Sequence, residues 1–249
     1  MSFRDRLRNV SSVNDSKIVL ALDLEDPDRD NLIRRSCEML REVGKFLCAV
    51  KINRQLVLSL GLRDGVDIIV RQIHELSLPA IMDAKLNDVG HTNEFMARSY
   101  IDTGFDGIIA SPVAGWEGGL DSVFQLTDSL GKGVILLVYM SNPGAERVYS
   151  MKTEYADGRR QPVFELFAEM AVQWKASGVI VGATKPDIIA RVRKLVGPDM
   201  DIFSPGVGVQ GGDAVKAIAA GADYLIVGRS IYDAVDPLGA ARSYRELTM

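Results

Sequence analysis

Histidine and cysteine are nearly absent, with two of each in 249 residues. His74 and His91 are too few for a histidine-rich metal site. Cys37 and Cys48 have neither C-x-x-C nor metal-ligand spacing, and Cys48 sits inside an apolar run. Both read as reduced, buried thiols of a cytoplasmic protein. Aromatic residues make up 7% of the chain, there is no basic run, and the net charge is −4. That balance argues against nucleic acid as the main partner, which needs a basic footprint. No uninterrupted apolar span reaches membrane length, so no membrane partner is expected. The first residues carry Arg4, Asp5, Arg6 and Arg8 but no apolar core, so they do not read as a secretory signal. Neither a dinucleotide fingerprint nor a nucleophile elbow is present, and no cofactor is expected.

What is present is an alternation. With 47% hydrophobic and 25% charged residues, the chain has material for a large core. Short apolar runs predict strands at Lys17–Leu24, Phe46–Ile52, Pro79–Leu86, Phe105–Ser111, Gly133–Ser141, Gly178–Thr184, Asp201–Gly208 and Ala222–Gly228. Helical patterns follow each of them. One opens at Pro27 and Asp28 and stops at Gly44; another breaks near Gly61 to Gly65. Strands alternating with helices imply parallel pairing with right-handed crossovers. Eight such units at this length predict an α/β (β/α)8 TIM barrel; an open doubly wound sheet typically needs fewer strands. Without a linker or composition break, residues 1–249 read as one domain. Residues 1–16 form an N-terminal extension with a short amphipathic helix over Phe3–Val10.

The rest of the chain is organised around Asp83-Ala84-Lys85-Leu86-Asn87-Asp88 at the end of the third strand. Side chains two apart on a strand face the same side, so Asp83 and Lys85 point together. Asp88 lies beyond the strand, where the chain can turn it elsewhere. Taken alone, the pair fits either a structural ion pair or a reacting centre. Other polar residues cluster at strand ends: Asp23, Lys51, Ser141, Gln210 just past the seventh strand and Arg229 just past the eighth. In a (β/α)8 barrel these ends converge on one mouth.

The seventh and eighth units point to phosphate. Ser204-Pro205-Gly206-Val207-Gly208-Val209-Gln210-Gly211-Gly212-Asp213 is a glycine-rich turn entering a helix, and Gly228-Arg229-Ser230 repeats the pattern. Glycines let backbone N–H groups approach an anion, and an arginine can fork two oxygens. The expected ligand is a phosphorylated small molecule, with Lys51, Asp83 and Lys85 at its reacting end. Carboxylates beside Lys85 favour its protonated form, a proton donor more than an imine-forming amine. One connection, Asn142–Gln161, is long and carries Arg147, Lys152, Arg159 and Arg160. Long connections are often functional, and this one is expected to be a lid over the anion.

At these residues the chain resembles the orotidine 5′-monophosphate decarboxylases. The similarity runs over nearly its whole length: ALDL with Asp23, VKI with Lys51, DAKLNDVGHTNE with Asp83, Lys85, Asp88 and Thr92, YMSNPGA with Ser141, SPGVGVQGGD with Gln210, and IVGRSIY with Arg229. The D-x-K-x-x-D element is shared with phosphosugar decarboxylases and synthases of the same barrel group, whereas the S-x-PGA segment from Ser141 and the SPGVG-x-QGGD segment from Ser204 are more specific. The resemblance implies cofactor-free, metal-free conversion of orotidine 5′-monophosphate (OMP) to UMP and CO2. Lys85 would protonate C6, with Asp83, Lys51 and Asp88 as further catalytic residues. Asp23, Lys51, Thr92, Ser141, Pro205, Gly206, Val207, Gln210, Gly228 and Arg229 would bind substrate. It also implies a homodimer in which Asp88 and Thr92 reach the neighbouring subunit's site. Asn53, Asn142 and the length of the lid depart from the usual pattern.

Two other readings stay open on sequence. A metal-dependent phosphosugar decarboxylase or aldolase would need a carboxylate cluster for Mg²⁺, toward which Glu25 and Asp26 are the nearest acids. A non-catalytic nucleotide-binding protein would have little reason to keep four costly charges. His74 reads as a surface residue and His91 as a neighbour of the site.

Overall fold

The computed structural model describes residues 1–154 and 157–248; Tyr155, Ala156 and Met249 lie outside the described residues. The strands are β1 (Ile18–Ala21), β2 (Ala49–Asn53), β3 (Ala80–Leu86), β4 (Gly107–Ala110), β5 (Gly133–Tyr139), β6 (Lys152–Glu154), β7 (Arg160–Pro162), β8 (Gly178–Val181), β9 (Asp201–Pro205) and β10 (Tyr224–Val227). Eight of them close into a barrel in the order β1-β10-β9-β8-β5-β4-β3-β2, while β6 and β7 form a separate two-stranded sheet. Every barrel pairing is parallel. The expected (β/α)8 architecture is thus observed, and the third to eighth of its strands are β3, β4, β5, β8, β9 and β10.

The helices are α1 (Phe3–Val13), α2 (Arg29–Val43), α3 (Arg54–Leu60), α4 (Asp67–Glu75), α5 (Gly90–Thr103), α6 (Asp121–Ser129), α7 (Ala145–Tyr149), α8 (Val163–Gln173), α9 (Pro186–Val196), α10 (Ala214–Ala219), α11 (Arg229–Tyr232) and α12 (Pro237–Glu246). Local chemistry sets their ends. Asp28 caps α2 by accepting the Asn31 N–H at 2.6 Å, and Pro186 opens α9, a position where no N–H is needed. Among the described residues, no helix is long and apolar enough to cross a membrane.

Apolar burial falls into two layers. The outer layer lies between sheet and helices. The inner layer fills the barrel with Val19, Ala49, Ile81, Ile135, Phe203 and Ile226, joined by Phe3 and Leu7 from α1. The extension expected ahead of the barrel is therefore part of it. Helix α1 runs to Val13 and plugs the barrel at the strands' N-terminal ends. Phe3 lies under the first residues of β4 and β5, where a Cβ on Gly107 or Gly133 would strike its ring. Burying an aromatic ring of this kind contributes about 2–3 kcal/mol.

Polar groups tie the plug down. Asp106 accepts from Arg6 at 2.8 Å, Lys132 at 2.9 Å and the Ala80 N–H at 3.0 Å, with His74 Nε2 also at 3.0 Å. His74 is thus not a free surface residue. It belongs to an ion network closed by a carboxylate 32 positions away, which helical periodicity cannot reveal. Burial opposes charge on Asp106, but His74, the Ala80 N–H and Lys132 outweigh it and hold its pKa at about 2.

Candidate active site

The opposite mouth carries a cavity of about 300 Å³. Its polar wall is built from three adjacent strands. Lys51 on β2 pairs in register with Ala21 of β1 and Ile81 of β3, and Asp23 follows β1. Asp83 on β3 is opposite Asn53 of β2. The charges alternate in space: Lys51 Nζ lies 3.9 Å from Asp23 Oδ1 and 3.0 Å from Asp83 Oδ2, and Lys85 Nζ lies 2.6 Å from Asp83 Oδ1. The two inner members are nearly sealed, with side-chain exposures of 7% for Lys51 and 11% for Asp83. Lys85, at 31%, faces the open cavity.

Burial alone would discharge such groups, so their partners decide. Burial opposes charge on Asp83, yet Lys51 and Lys85 together hold its pKa below the ordinary carboxylate value. Burial opposes charge on Lys51 too, and the carboxylates of Asp83 and Asp23 raise its pKa on balance. Asp23 keeps a raised pKa, because burial and the nearby Asp83 charge outweigh Lys51 and Lys85. Asp83 is therefore a fixed negative charge between two cations, and Lys85 is the cation with access to a ligand.

Strand β3 reaches this arrangement through a bulge. Met82 pairs with Ile108 and Leu86 with Ala110, so three residues of β3 stand against one of β4. Lys85 takes a left-handed backbone, φ +47°, uncommon for a residue with a Cβ. Alternation along an ideal strand does predict that Asp83 and Lys85 face one side, but the bulge is what brings both to the cavity.

The cavity is also lined by Pro205, Gly206, Val207, Gln210, Gly228, Arg229 and Ser141. Ser141 Oγ donates to Gln210 Oε1 at 2.7 Å. Gly206 permits this contact. Its φ is +93°, and a Cβ there would sit 2.8 Å from Ser141 Cβ and 2.9 Å from Gln210 Oε1. Arg229 forms no ion pair with another described residue, leaving its guanidinium for a ligand. The floor is apolar, made by Ala21, Ile109, Leu137, Ile180 and Ile226. These floor residues, with Asn53, Met140, Ser230 and Tyr232, were not predicted as site residues. Strands buried on both faces give no alternation that marks the inward set.

Two predicted residues stay outside the cavity. Asp88 is exposed, its carboxylate accepting the Val89 N–H at 2.7 Å. Thr92 Oγ1 lies 3.3 Å from the ring of the exposed His91. Nor do the described residues of Asn142–Gln161 line the cavity. This connection is not the structureless lid that the sequence suggests. It holds α7 and the β6–β7 hairpin, fixed to α8 by Gln161 Nε2 donating to Glu169 at 2.9 Å. Tyr149 packs on Tyr139 with ring centroids 5.3 Å apart. Arg160 pairs with Glu154 at 2.6 Å. Tyr155 and Ala156 of this connection lie outside the described residues. Among the described residues, no group of three or more His, Cys, Asp or Glu side chains is placed to hold a metal, and Glu25 instead meets Gln55.

The model of the orotidine 5'-phosphate decarboxylase / HUMPS family matches residues 16–244. The chain belongs to this family. Orotidine 5'-phosphate decarboxylase of Methanococcoides burtonii is 36% identical over 227 residues, covering 91% of this chain and 94% of the relative. The crystal structure of orotidine 5'-phosphate decarboxylase from Pyrococcus horikoshii OT3 superposes with a TM-score of 0.73 at 34% identity, covering 93% of this chain and 98% of that one. Leishmania donovani UMP synthase gives a TM-score of 0.86 at 26% identity over 99% of this chain, which spans 55% of that protein. Family membership agrees with the segments that carry the resemblance, and every residue of the charge chain falls within the matched region.

Proposed function

We propose that this protein decarboxylates OMP to UMP and CO2, a step of pyrimidine biosynthesis, without a cofactor. The observation that carries this reading is the chain Asp23–Lys51–Asp83–Lys85 in the wall of a cavity that Gln210 and Arg229 also line. The family and its orotidine 5'-phosphate decarboxylase relatives select the substrate among phosphorylated small molecules.

The chemistry follows from charge. The bond from C6 to the substrate carboxylate breaks, CO2 leaves, and the electron pair stays on C6. Lys85 Nζ, held by Asp83, stabilises that developing charge and delivers a proton to C6. The neutral amine then regains a proton from water. Fixed charges that need no reorganisation at the moment of reaction are the largest common source of rate enhancement. Asp83 sits beside the departing carboxylate, where its own charge becomes easier to accommodate as CO2 forms. Lys51 and Asp23 bind the ribose hydroxyls. Ser141 reads the pyrimidine edge together with Gln210. The backbone of Pro205, Gly206, Val207 and Gly228, with Gln210 and Arg229, holds the 5′-phosphate. That remote binding energy supports the reacting end.

The active unit in this reading is a homodimer. Asp88, exposed, and Thr92, half-buried, both outside their own cavity, complete the partner's site. The whole chain acts as one catalytic unit, and the buried thiols Cys37 and Cys48 fit a cytoplasmic location.

The test follows the ultraviolet absorbance of OMP with purified protein in excess chelator. Loss of the orotate chromophore with UMP as product is expected. An unchanged spectrum with folded protein, and turnover of phosphosugars with Mg²⁺ instead, would refute the assignment.

A further inference from the structure

Ser230 has no role in the account above, yet it stands between the two loops that form the phosphate end. It follows Arg229 in α11 and lines the cavity. Its Oγ accepts the Val209 N–H at 3.4 Å, a long hydrogen bond that joins α11, which follows β10, to the loop after β9. Val209 immediately precedes Gln210, so the serine holds the backbone next to one phosphate residue while being the chain neighbour of the other.

The approach is possible because residue 208 is glycine. Gly208 has φ +77°, and a Cβ there would collide with Ser230 Oγ and come within 2.8 Å of Tyr244 Oη. The loop is further closed on itself by Gly208 N–H to Gly212 O at 3.0 Å and Gly211 N–H to Gly208 O at 2.7 Å. Tyr244 comes from α12, so the last helix supports the same point.

A serine hydroxyl has one donor and two acceptor positions. Val209 uses an acceptor position, and the proton is taken by no other described residue. We propose that Ser230 is a phosphate-binding residue, donating its hydroxyl proton to a phosphate oxygen between Gln210 and Arg229 while it fixes the Val209 N–H. This assignment rests on the nucleotide reading of the cavity. Accepting an N–H polarises the hydroxyl and strengthens its donation, so the two contacts support each other.

Ser230→Ala removes the donor without adding bulk. A hydrogen bond to a charged group predicts a rise in KM for OMP of roughly tenfold. The dissociation constant of inorganic phosphate, read by calorimetry, should rise in parallel. Turnover of orotidine, which lacks the phosphate, should stay within about twofold of the unsubstituted protein. Tyr244→Phe, which leaves the serine in place, should keep KM for OMP within about twofold. Unchanged phosphate affinity in Ser230→Ala would overturn the proposal. So would an equal loss on orotidine, or the same rise in KM in Tyr244→Phe, because either would mean loop packing and not donation. If the unsubstituted protein fails to turn over OMP, the functional reading fails, while the phosphate titration of both proteins still decides the role of Ser230.

Discussion

Lys85 Nζ lies 2.6 Å from Asp83 Oδ1, and the contact is made from a strained backbone. The lysine sits at φ +47° inside a bulge. A left-handed conformation costs an L-residue about 1–2 kcal/mol, and glycine escapes that cost. Strain of this kind persists where surrounding structure holds it. Here the pairing of Met82 and Leu86 with β4, on either side of the bulge, does so. Lys85→Gly and Lys85→Ala both remove the ammonium, so the difference between them isolates the backbone. Lys85→Gly should be more stable than Lys85→Ala by about 1 kcal/mol in urea unfolding. Equal stability would mean that the left-handed geometry carries no strain.

Asp83 is the hub of the charge chain. Asp83→Ala leaves Lys51 buried, with Asp23 at 3.9 Å as its nearest carboxylate. Breaking a buried pair on one side costs about 3–5 kcal/mol, which lowers Tm by roughly 10 °C in a chain of this size. Thermal unfolding followed by circular dichroism reads this directly. A Tm within a degree or two of the parent would show that the network is not a stabilising unit.

The plug at the other end of the barrel gives a pH prediction. Asp106 is held at about 2, below its unfolded value, so the folded state favours the carboxylate. Its contribution, about 2 kcal/mol, is fully present above the unfolded pKa near 4 and is lost as pH falls through about 2. Asp106→Asn should therefore be less stable at pH 6, and its deficit should shrink steadily below pH 4. A deficit that does not change between pH 6 and pH 2 would contradict this. Arg6 carries α1 into the same network, so the acid transition should also loosen the plug.

Much of this architecture is legible in the sequence, for stated reasons. Eight apolar runs separated by helical patterns identify the barrel, and the polar residues that end them identify the mouth. Strand lengths are less legible: Lys17–Leu24 becomes β1 at Ile18–Ala21, and of the residues beyond its end Asp23 lines the cavity while Leu22 and Leu24 join the outer apolar layer. The bulge at Asp83–Lys85 is a register property of β3 against β4 and has no signature in β3 alone. The inward role of Ile109, Leu137 and Ile180 is hidden because their neighbours are equally apolar. The hairpin β6–β7 has three residues per strand, too few to show a period. His74 needed a partner from another element to reveal its place.

The placement of the loop cations separates two sources of phosphate affinity. Arg229 lines the cavity, whereas Arg147, Lys152, Arg159 and Arg160 do not. Arg229→Ala should raise KM for OMP roughly 100-fold, since a forked arginine makes more than one charge-assisted hydrogen bond. Arg147→Ala and Arg160→Ala should each change KM less than about threefold. Steady-state kinetics on the three variants tests this, and a large effect at Arg147 or Arg160 would restore the lid expected from sequence.

The most direct measurement compares turnover and ligand binding in Lys85→Ala. If Lys85 stabilises the carbanion and protonates C6, kcat for OMP should fall by at least roughly 10³-fold. The dissociation constant for UMP, measured on the same preparation by calorimetry, should move less than about tenfold. Turnover near that of the parent protein, with UMP still bound, would contradict the central role given to this lysine.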